Sequence, residues 1–164
     1  MFLKSVTELA ADFHDVRAVM LSDPHEWLDG LAVTAGEEGD RLLVDVGLQV
    51  GGRELSRRAA LQVGEPMATD RVVLLPLRIR AADHQRLFPS LEGSLDAGWL
   101  GPGRTHLALT ATYDPPLGAV GRTMDRALLH RVAEAVGQRF LESAATELLA
   151  RCAARPLSRS HRLS

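Results

Sequence analysis

The strongest constraint on the fold of this chain is a change of hydrophobic period near residue 115. Between residues 41 and 114, apolar side chains recur at every second position, which is typical of β-strands that bury one face. From residue 117 to about residue 153, they recur at helical spacing. A helix this long needs a large apolar partner surface, and one curved antiparallel sheet can supply it. The order of periods therefore predicts an α+β fold.

The alternating part divides into about seven strands. Gly51-Gly52 and Gly101-Pro102-Gly103 mark tight turns, and short connections predict antiparallel pairing. Pro76 lies inside an alternating run, which indicates an edge position or a bulge. The predicted strands cover residues 2–10, 31–36, 41–50, 53–64, 70–80, 91–99 and 107–113.

Two short helices are predicted directly after the first strand. Asp12 is a suitable N-cap for a helix whose apolar residues begin at Phe13. Ser22-Asp23-Pro24 interrupts that helix, and Pro24 can open a second one that ends near Trp27 or Leu28. Both helices precede most of the strands, since the chain after them is strand-like for about 85 residues.

Length and charge limit the classes of protein to consider. The 164 residues suit one domain, expected over residues 1–153, with a basic flexible tail at residues 154–164. All acids lie between Glu8 and Glu147, and an acidic body argues against nucleic acid as a partner. The single cysteine, Cys152, needs no oxidising compartment. With no signal peptide and no apolar run long enough for membrane insertion, we expect a cytoplasmic protein.

No catalytic motif is recognisable. The six histidines show no metal-ligand spacing, so neither a metal nor a cofactor is expected, and no catalytic residue is assigned. His84 in the predicted loop 81–90 could act as an acid or base at a cavity mouth, or be a solvated loop residue. His130 is expected to form a pair on the surface of the long helix.

Two stretches carry a resemblance to a known superfamily. The first is Leu21-Ser22-Asp23-Pro24 followed by Trp27, and the second runs from Leu107 through Asp114-Pro115-Pro116 to His130-Arg131-Val132-Ala133. Together with the order of elements, they resemble the START-like or helix-grip superfamily of polyketide cyclases, pollen allergens and lipid-transfer domains. The resemblance implies a curved antiparallel sheet of about seven strands wrapped around a long C-terminal helix.

The same resemblance implies a deep cavity between the sheet and the long helix. Few aromatic residues are available to fill this space, and small inward residues such as Gly93 and Ala111 would leave room for a ligand. They could equally let the helix approach closely in a packed core. By alternation, Arg57 points to the apolar face. Its guanidinium could either anchor a ligand oxygen or reach water at the rim of the sheet. The ligand-binding residues expected are Trp27, Arg57, Leu75, Leu77, Trp99, Tyr113, Met124 and Leu128.

Three functions remain open at this point. The first is binding of a hydrophobic or aromatic small molecule, lipid-like or polyketide-like, without catalysis. The second is a polyketide aromatase or cyclase in which Arg57, Tyr113 or His84 polarises a carbonyl or moves a proton. The third is an interaction module with a packed core, in which a homodimer forms through an edge strand near Pro76 or through the long helix.

Overall fold

The computed structural model describes residues 1–28, 30–31, 59–81, 90–114 and 126–155. Within them the predicted order of strand, two short helices, strands and long helix is confirmed. The strands are β1 (Phe2–Leu9), β2 (Ala59–Val63), β3 (Met67–Ala68), β4 (Val72–Ala81), β5 (Ser90–Gly101) and β6 (Arg104–Asp114). The helices are α1 (Phe13–Leu21), α2 (residues 24–28, with residues 30 and 31 also helical) and α3 (Arg126–Ala154).

The strands form one antiparallel sheet in the order β1-β6-β5-β4-β2, with β3 also paired to β4. The count of about seven strands is slightly off, because the described residues form six. One of these, β3, was not predicted, since two residues are too few to show alternation. The predicted strands at residues 31–36 and 41–50 lie almost wholly outside the described residues, and Leu31 is helical.

The two short helices follow the predicted signals closely. Asp12 caps α1, and its carboxylate accepts a hydrogen bond from the backbone N–H of His14 at 2.9 Å. At the other end of α1, the Ser22 backbone N–H donates to the carbonyls of Ala18 and Val19, which ends the helix. Pro24 then opens α2. The Thr105 hydroxyl fixes the start of α1 on the sheet by donating to the Ala11 carbonyl at 2.9 Å.

The core lies between the concave face of the sheet and α3. The helix buries Ala133, Phe140, Leu141, Ala144 and Leu148, which recur at the helical spacing predicted for this segment. At Gly137 the helix lies close to β1, since an added Cβ would lie 3.0 Å from Leu3 Cδ1. The predicted helix start at residue 117 lies outside the described residues, as does the tail from residue 156.

Pro76 lies at an interruption of the sheet, as its position in the sequence indicated. On one side β4 pairs continuously with β5, where Pro76 is opposite Ser94. On the other side β2 ends at Val63 and β3 begins at Met67. The Gly64 N–H donates to the Pro76 carbonyl at 2.9 Å, but proline has no N–H to return. The position without a backbone donor therefore lies at the gap between β2 and β3, so the sheet loses no backbone hydrogen bond there.

Candidate ligand-binding site

The candidate site is the concave face of the sheet, whose inward residues form rows across the strands. The register places Val73, Ala97 and Leu107 in one row and Leu75, Leu95 and Leu109 in the next. Two further rows follow toward the Tyr113 end of β6; they are Leu77, Gly93 and Ala111, then Ile79, Leu91 and Tyr113. In β4, β5 and β6 every inward residue of these rows is apolar, glycine or tyrosine, and in β1 Ser5 lies opposite Leu109 and Thr7 opposite Leu107.

Burial is uneven along this face. The rows that contain Leu75 and Val73 are almost completely buried, because α1 packs against β4, β5 and β6 at that end. In contrast, Ile79, Leu91 and Gly93 remain partly exposed although they point to the concave side. The first turns of α3 face the same end, where Val132 and Val136 are only half-buried. Among the described residues, one end of the concave face is therefore buried and the other is partly exposed.

The row between the two ends is built from small residues. Gly93 lies opposite Ala111, and an added Cβ at Gly93 would clash with the Thr110 carbonyl oxygen and approach Ala111 Cα to 2.6 Å. No other residue fits at Gly93 without moving the main chain. The concave surface therefore has its lowest side-chain cover beside the partly exposed Leu91. This row forms the floor of the candidate site.

Tyr113 supplies a polar group in the row next to this floor. Its side chain is 6% exposed, and burial raises the pKa of the phenol above its usual value. The phenol therefore stays protonated at neutral pH and can donate a hydrogen bond. Its main chain is fixed, because the Tyr113 N–H donates to the Met1 carbonyl and the Tyr113 carbonyl accepts from the Met1 amino group. Tyr113 is thus a rigidly mounted donor in apolar surroundings.

Trp27 is buried at the opposite end of the interior. It belongs to α2, which the ion pair between Glu26 and Arg151 connects to the last turn of α3 at 3.6 Å. The indole is 3% exposed, and no hydrogen-bond partner of its Nε1 lies among the described residues. A buried donor without an acceptor costs about 1–3 kcal/mol, so Trp27 offers unused hydrogen-bonding capacity inside the core.

The structure does not bring Trp99 to the other predicted residues. By alternation it continues the inward series of Leu95 and Ala97, yet its side chain is 45% exposed. The Arg71 guanidinium lies 5.0 Å from its ring centroid, a cation–π contact at the end of the sheet. Thr105, which is opposite Trp99, is fully buried, but the register shifts directly after this pair, between Trp99 and Gly101. Alternation gives the expected face of a residue but does not show an irregularity in the pairing.

The remaining predicted residues divide into two groups. Leu75 and Leu77 are buried in the concave face, where they serve as core and can also form the wall of a pocket. Arg57 and Met124 lie outside the described residues, as does the side chain of Leu128, and so does the His84 loop. His130 forms the expected helix-surface pair, with Nε2 3.1 Å from a Glu134 carboxylate oxygen.

Sequence reasoning missed Ser5, which is buried on the concave face next to Gly137 of α3. Its position between Leu3 and Leu9 in the alternation was the available signal. Among the described residues, the buried polar residues are Ser5 and Thr105.

In the same part of the chain, no group of three or more acidic, histidine or cysteine side chains could hold a metal ion. Nor is any helix in that part of the chain long and apolar enough to cross a membrane.

These features define a helix-grip fold, in which a curved antiparallel sheet holds a long C-terminal helix against its concave face. The chain is similar in structure to a conserved protein from Geobacillus kaustophilus, with 15% identity, a TM-score of 0.51, and coverage of 92% of this chain and 96% of that one. At this identity the likeness bears on the fold alone.

Weaker likenesses point to proteins of different descriptions. A hypothetical protein from Helicobacter pylori is 9% identical with a TM-score of 0.49, over 92% of this chain and 86% of that one. The Zhui aromatase/cyclase from Streptomyces sp. R1128 is 13% identical with a TM-score of 0.36, over 94% of each chain. Neither adds to the assignment of the fold. No protein-family model matches the sequence. No curated protein matches it.

Proposed function

We propose that this protein binds a hydrophobic or aromatic small molecule between the concave face of the sheet and α3. The observation that supports this is the uneven burial of the concave face. Leu91 and Gly93 point inward yet stay partly exposed, while the residues of the neighbouring row are buried. An apolar surface open to solvent in an otherwise closed interior favours an apolar guest.

Tyr113 sets the expected polarity of the guest. Its protonated phenol lies in the row next to Gly93, so a ligand lying on that floor can accept one hydrogen bond from it. The ligand expected is therefore mainly apolar with one oxygen acceptor, such as a carbonyl or hydroxyl group on an aromatic or aliphatic frame. The aromatase or cyclase alternative depends also on Arg57 and His84, which lie outside the described residues, so no reaction is proposed.

The first experiment asks whether the purified protein carries a guest. Native mass spectrometry, followed by extraction and analysis of small molecules, should find an apolar compound in substoichiometric or stoichiometric amount. A second experiment uses 1-anilinonaphthalene-8-sulfonate as a fluorescent probe of the site. Near-ultraviolet circular dichroism verifies that each variant keeps its tertiary packing. Absence of both an extracted compound and saturable probe binding would contradict the proposal.

Substitutions on the two faces of the sheet locate the probe. Leu91→Trp places bulk at the open end of the concave face, and it should weaken probe binding by about tenfold or more, since it fills the space. Leu74→Trp is the matched control, because Leu74 is also a half-buried leucine but points to the outer face. Equal binding by both variants would place the probe elsewhere.

The role of Tyr113 is tested with two ligands that differ in one oxygen. Tyr113→Phe should lower the affinity for 2-acetylnaphthalene about fivefold, the usual effect of losing one hydrogen bond. The affinity for 2-ethylnaphthalene should not change, because that compound has no acceptor. A parallel loss for both compounds would show that the phenol acts through packing alone.

A further inference from the structure

Strand β1 is an open edge of the sheet. It pairs with β6 on one side over its whole length, from Phe2 opposite Thr112 to Leu9 opposite Thr105. On its other side, no strand pairs with it in the described chain. An eight-residue edge with unpaired backbone groups is a template for another strand.

The pairing of Met1 shows which backbone groups point outward. Met1 and Tyr113 exchange two hydrogen bonds, so they are a hydrogen-bonded pair. Because such pairs alternate along an antiparallel ladder, Leu3, Ser5, Thr7 and Leu9 also direct their N–H and C=O groups to β6. The backbone groups of Phe2, Lys4, Val6 and Glu8 therefore point away from the sheet, toward the open side.

The side chains of these same four residues lie on the outer face of the sheet and are exposed. Phe2 is 62% exposed and Val6 47%, so two apolar residues alternate with Lys4 and Glu8. Lys4 is the only lysine of the chain. The carboxylate of Glu8 is held by Arg104, with Oε1 2.6 Å from Nε and Oε2 2.8 Å from Nη2. The edge thus carries one cation and one anion at fixed positions.

We propose that β1 pairs with β1 of a second copy of this chain, antiparallel and centred on Val6. A two-fold pair can be centred on Lys4, Ser5 or Val6 while using the outward backbone groups. If the pair is centred on Lys4, the two lysines lie opposite each other. If it is centred on Ser5, Lys4 lies opposite Val6 of the other copy, and Phe2 lies opposite Glu8. Centring on Val6 opposes the two valines and places each Lys4 opposite Glu8 of the other copy. Cross-strand charge complementarity selects this last register.

The other end of the described sheet is a poor alternative for pairing. There β2 has five residues and β3 has two, and the gap beside Pro76 separates them. Short strands and proline are the features that blunt an edge against association. The sequence left open a homodimer through an edge strand near Pro76 or through the long helix; the proposal places it at β1 instead.

The first test is the oligomeric state of the intact protein. Sedimentation equilibrium should show a reversible monomer–dimer equilibrium. Val6→Glu should weaken the dimer by about tenfold or more, because two carboxylates then face each other. Val72→Glu is the matched control, since Val72 is 46% exposed on the outer face of β4 and away from β1, and it should leave the equilibrium unchanged. A monomer at all concentrations, or equal effects of both variants, would overturn the proposal.

The second test uses charge exchange between copies. Lys4→Glu and Glu8→Lys should each weaken self-association about tenfold, since both ion pairs become like-charge pairs. An equimolar mixture of the two variants should associate. In a mixed dimer, the glutamate introduced by Lys4→Glu faces the lysine introduced by Glu8→Lys, and the second cross-strand pair is the native Lys4 and Glu8. Failure of the mixture to associate, with both variants folded by circular dichroism, would refute this register.

The third test is a crosslink in a Cys152→Ser background. Val6→Cys should form a disulfide-linked dimer under mild oxidation, since a hydrogen-bonded antiparallel pair has Cα atoms about 5.5 Å apart. Phe2→Cys is the control, because the two copies of residue 2 would be about 27 Å apart at about 3.4 Å per residue. Equal crosslinking at both positions would contradict pairing centred on Val6.

Discussion

Gly93 offers the sharpest test of the sheet geometry. It lies opposite Ala111 in the middle of β5, on the floor of the candidate site. Since Ala111 exchanges its hydrogen bonds with Leu3 of β1, Gly93 and Ala111 form a non-hydrogen-bonded pair, where antiparallel strands come closest. In Gly93→Ala, the new Cβ would meet the Thr110 carbonyl oxygen and lie 2.6 Å from Ala111 Cα.

The expected cost follows from which atoms must move. Carbon atoms pack favourably at about 3.5–4.0 Å, so the alanine Cβ lies about 1 Å too close to main-chain atoms of β6. Relief requires β5 and β6 to separate locally, which strains the ladder bonds on either side. Overpacking of about 1–3 kcal/mol and two weakened hydrogen bonds of about 1 kcal/mol each give a loss of about 3–5 kcal/mol in the free energy of unfolding.

The measurement is equilibrium unfolding in urea, followed by circular dichroism and tryptophan fluorescence. Gly98→Ala is the matched control in the same strand, because its Cβ would meet only the Arg71 carbonyl oxygen at 3.9 Å. That variant should be neutral or slightly stabilised, since alanine restricts the unfolded chain. Adding Ala111→Gly should not rescue Gly93→Ala, because main-chain atoms still clash. A loss below about 1 kcal/mol for Gly93→Ala would refute the close strand approach.

Three further predictions concern other parts of the molecule. Asp12→Ala should lower the free energy of unfolding by about 1 kcal/mol in urea denaturation through loss of the α1 cap, whereas Asp12→Asn should be nearly neutral. Arg104 lowers the pKa of Glu8, so the pair stabilises the fold above pH 4.5, and this stability is lost as pH falls through the lower folded-state pKa. Glu8→Gln should therefore flatten the acid side of the stability–pH curve. An unchanged acid side would contradict this. Burial raises the pKa of the Cys152 thiol, so iodoacetamide should modify it more slowly at pH 8 than it modifies free cysteine, with equal rates as the contrary result.

Alternation in the sequence was sufficient to predict most of the sheet face. Along β4 it correctly separated the buried Val73, Leu75 and Leu77 from their outward neighbours, because a strand that buries one face must alternate. It could not show that Trp99 would be exposed, since the pairing of β5 with β6 becomes irregular between Trp99 and Gly101. Register depends on two strands together, and one strand does not encode it.

The candidate site was only partly accessible to sequence reasoning. Gly93 and Ala111 were recognisable as small inward residues, but their direct opposition depends on the register between β5 and β6. An interior glycine costs a helix about 1 kcal/mol relative to alanine, yet Gly137 of α3 lies where an added Cβ would be 3.0 Å from Leu3 Cδ1. A glycine shows that space is needed, but only the partner element shows whether backbone or ligand uses it.

The interruption beside Pro76 has a consequence for assembly. A protein with two equivalent open strand edges can add copies at both ends and grow without limit. Here one end of the described sheet is divided into pieces of five and two residues, while β1 is continuous over eight. Pairing of β1 with its own copy is isologous and consumes the continuous edge of both chains. In the proposed dimer, growth would therefore stop at two copies, because the gap beside Pro76 interrupts the other edge of the described sheet.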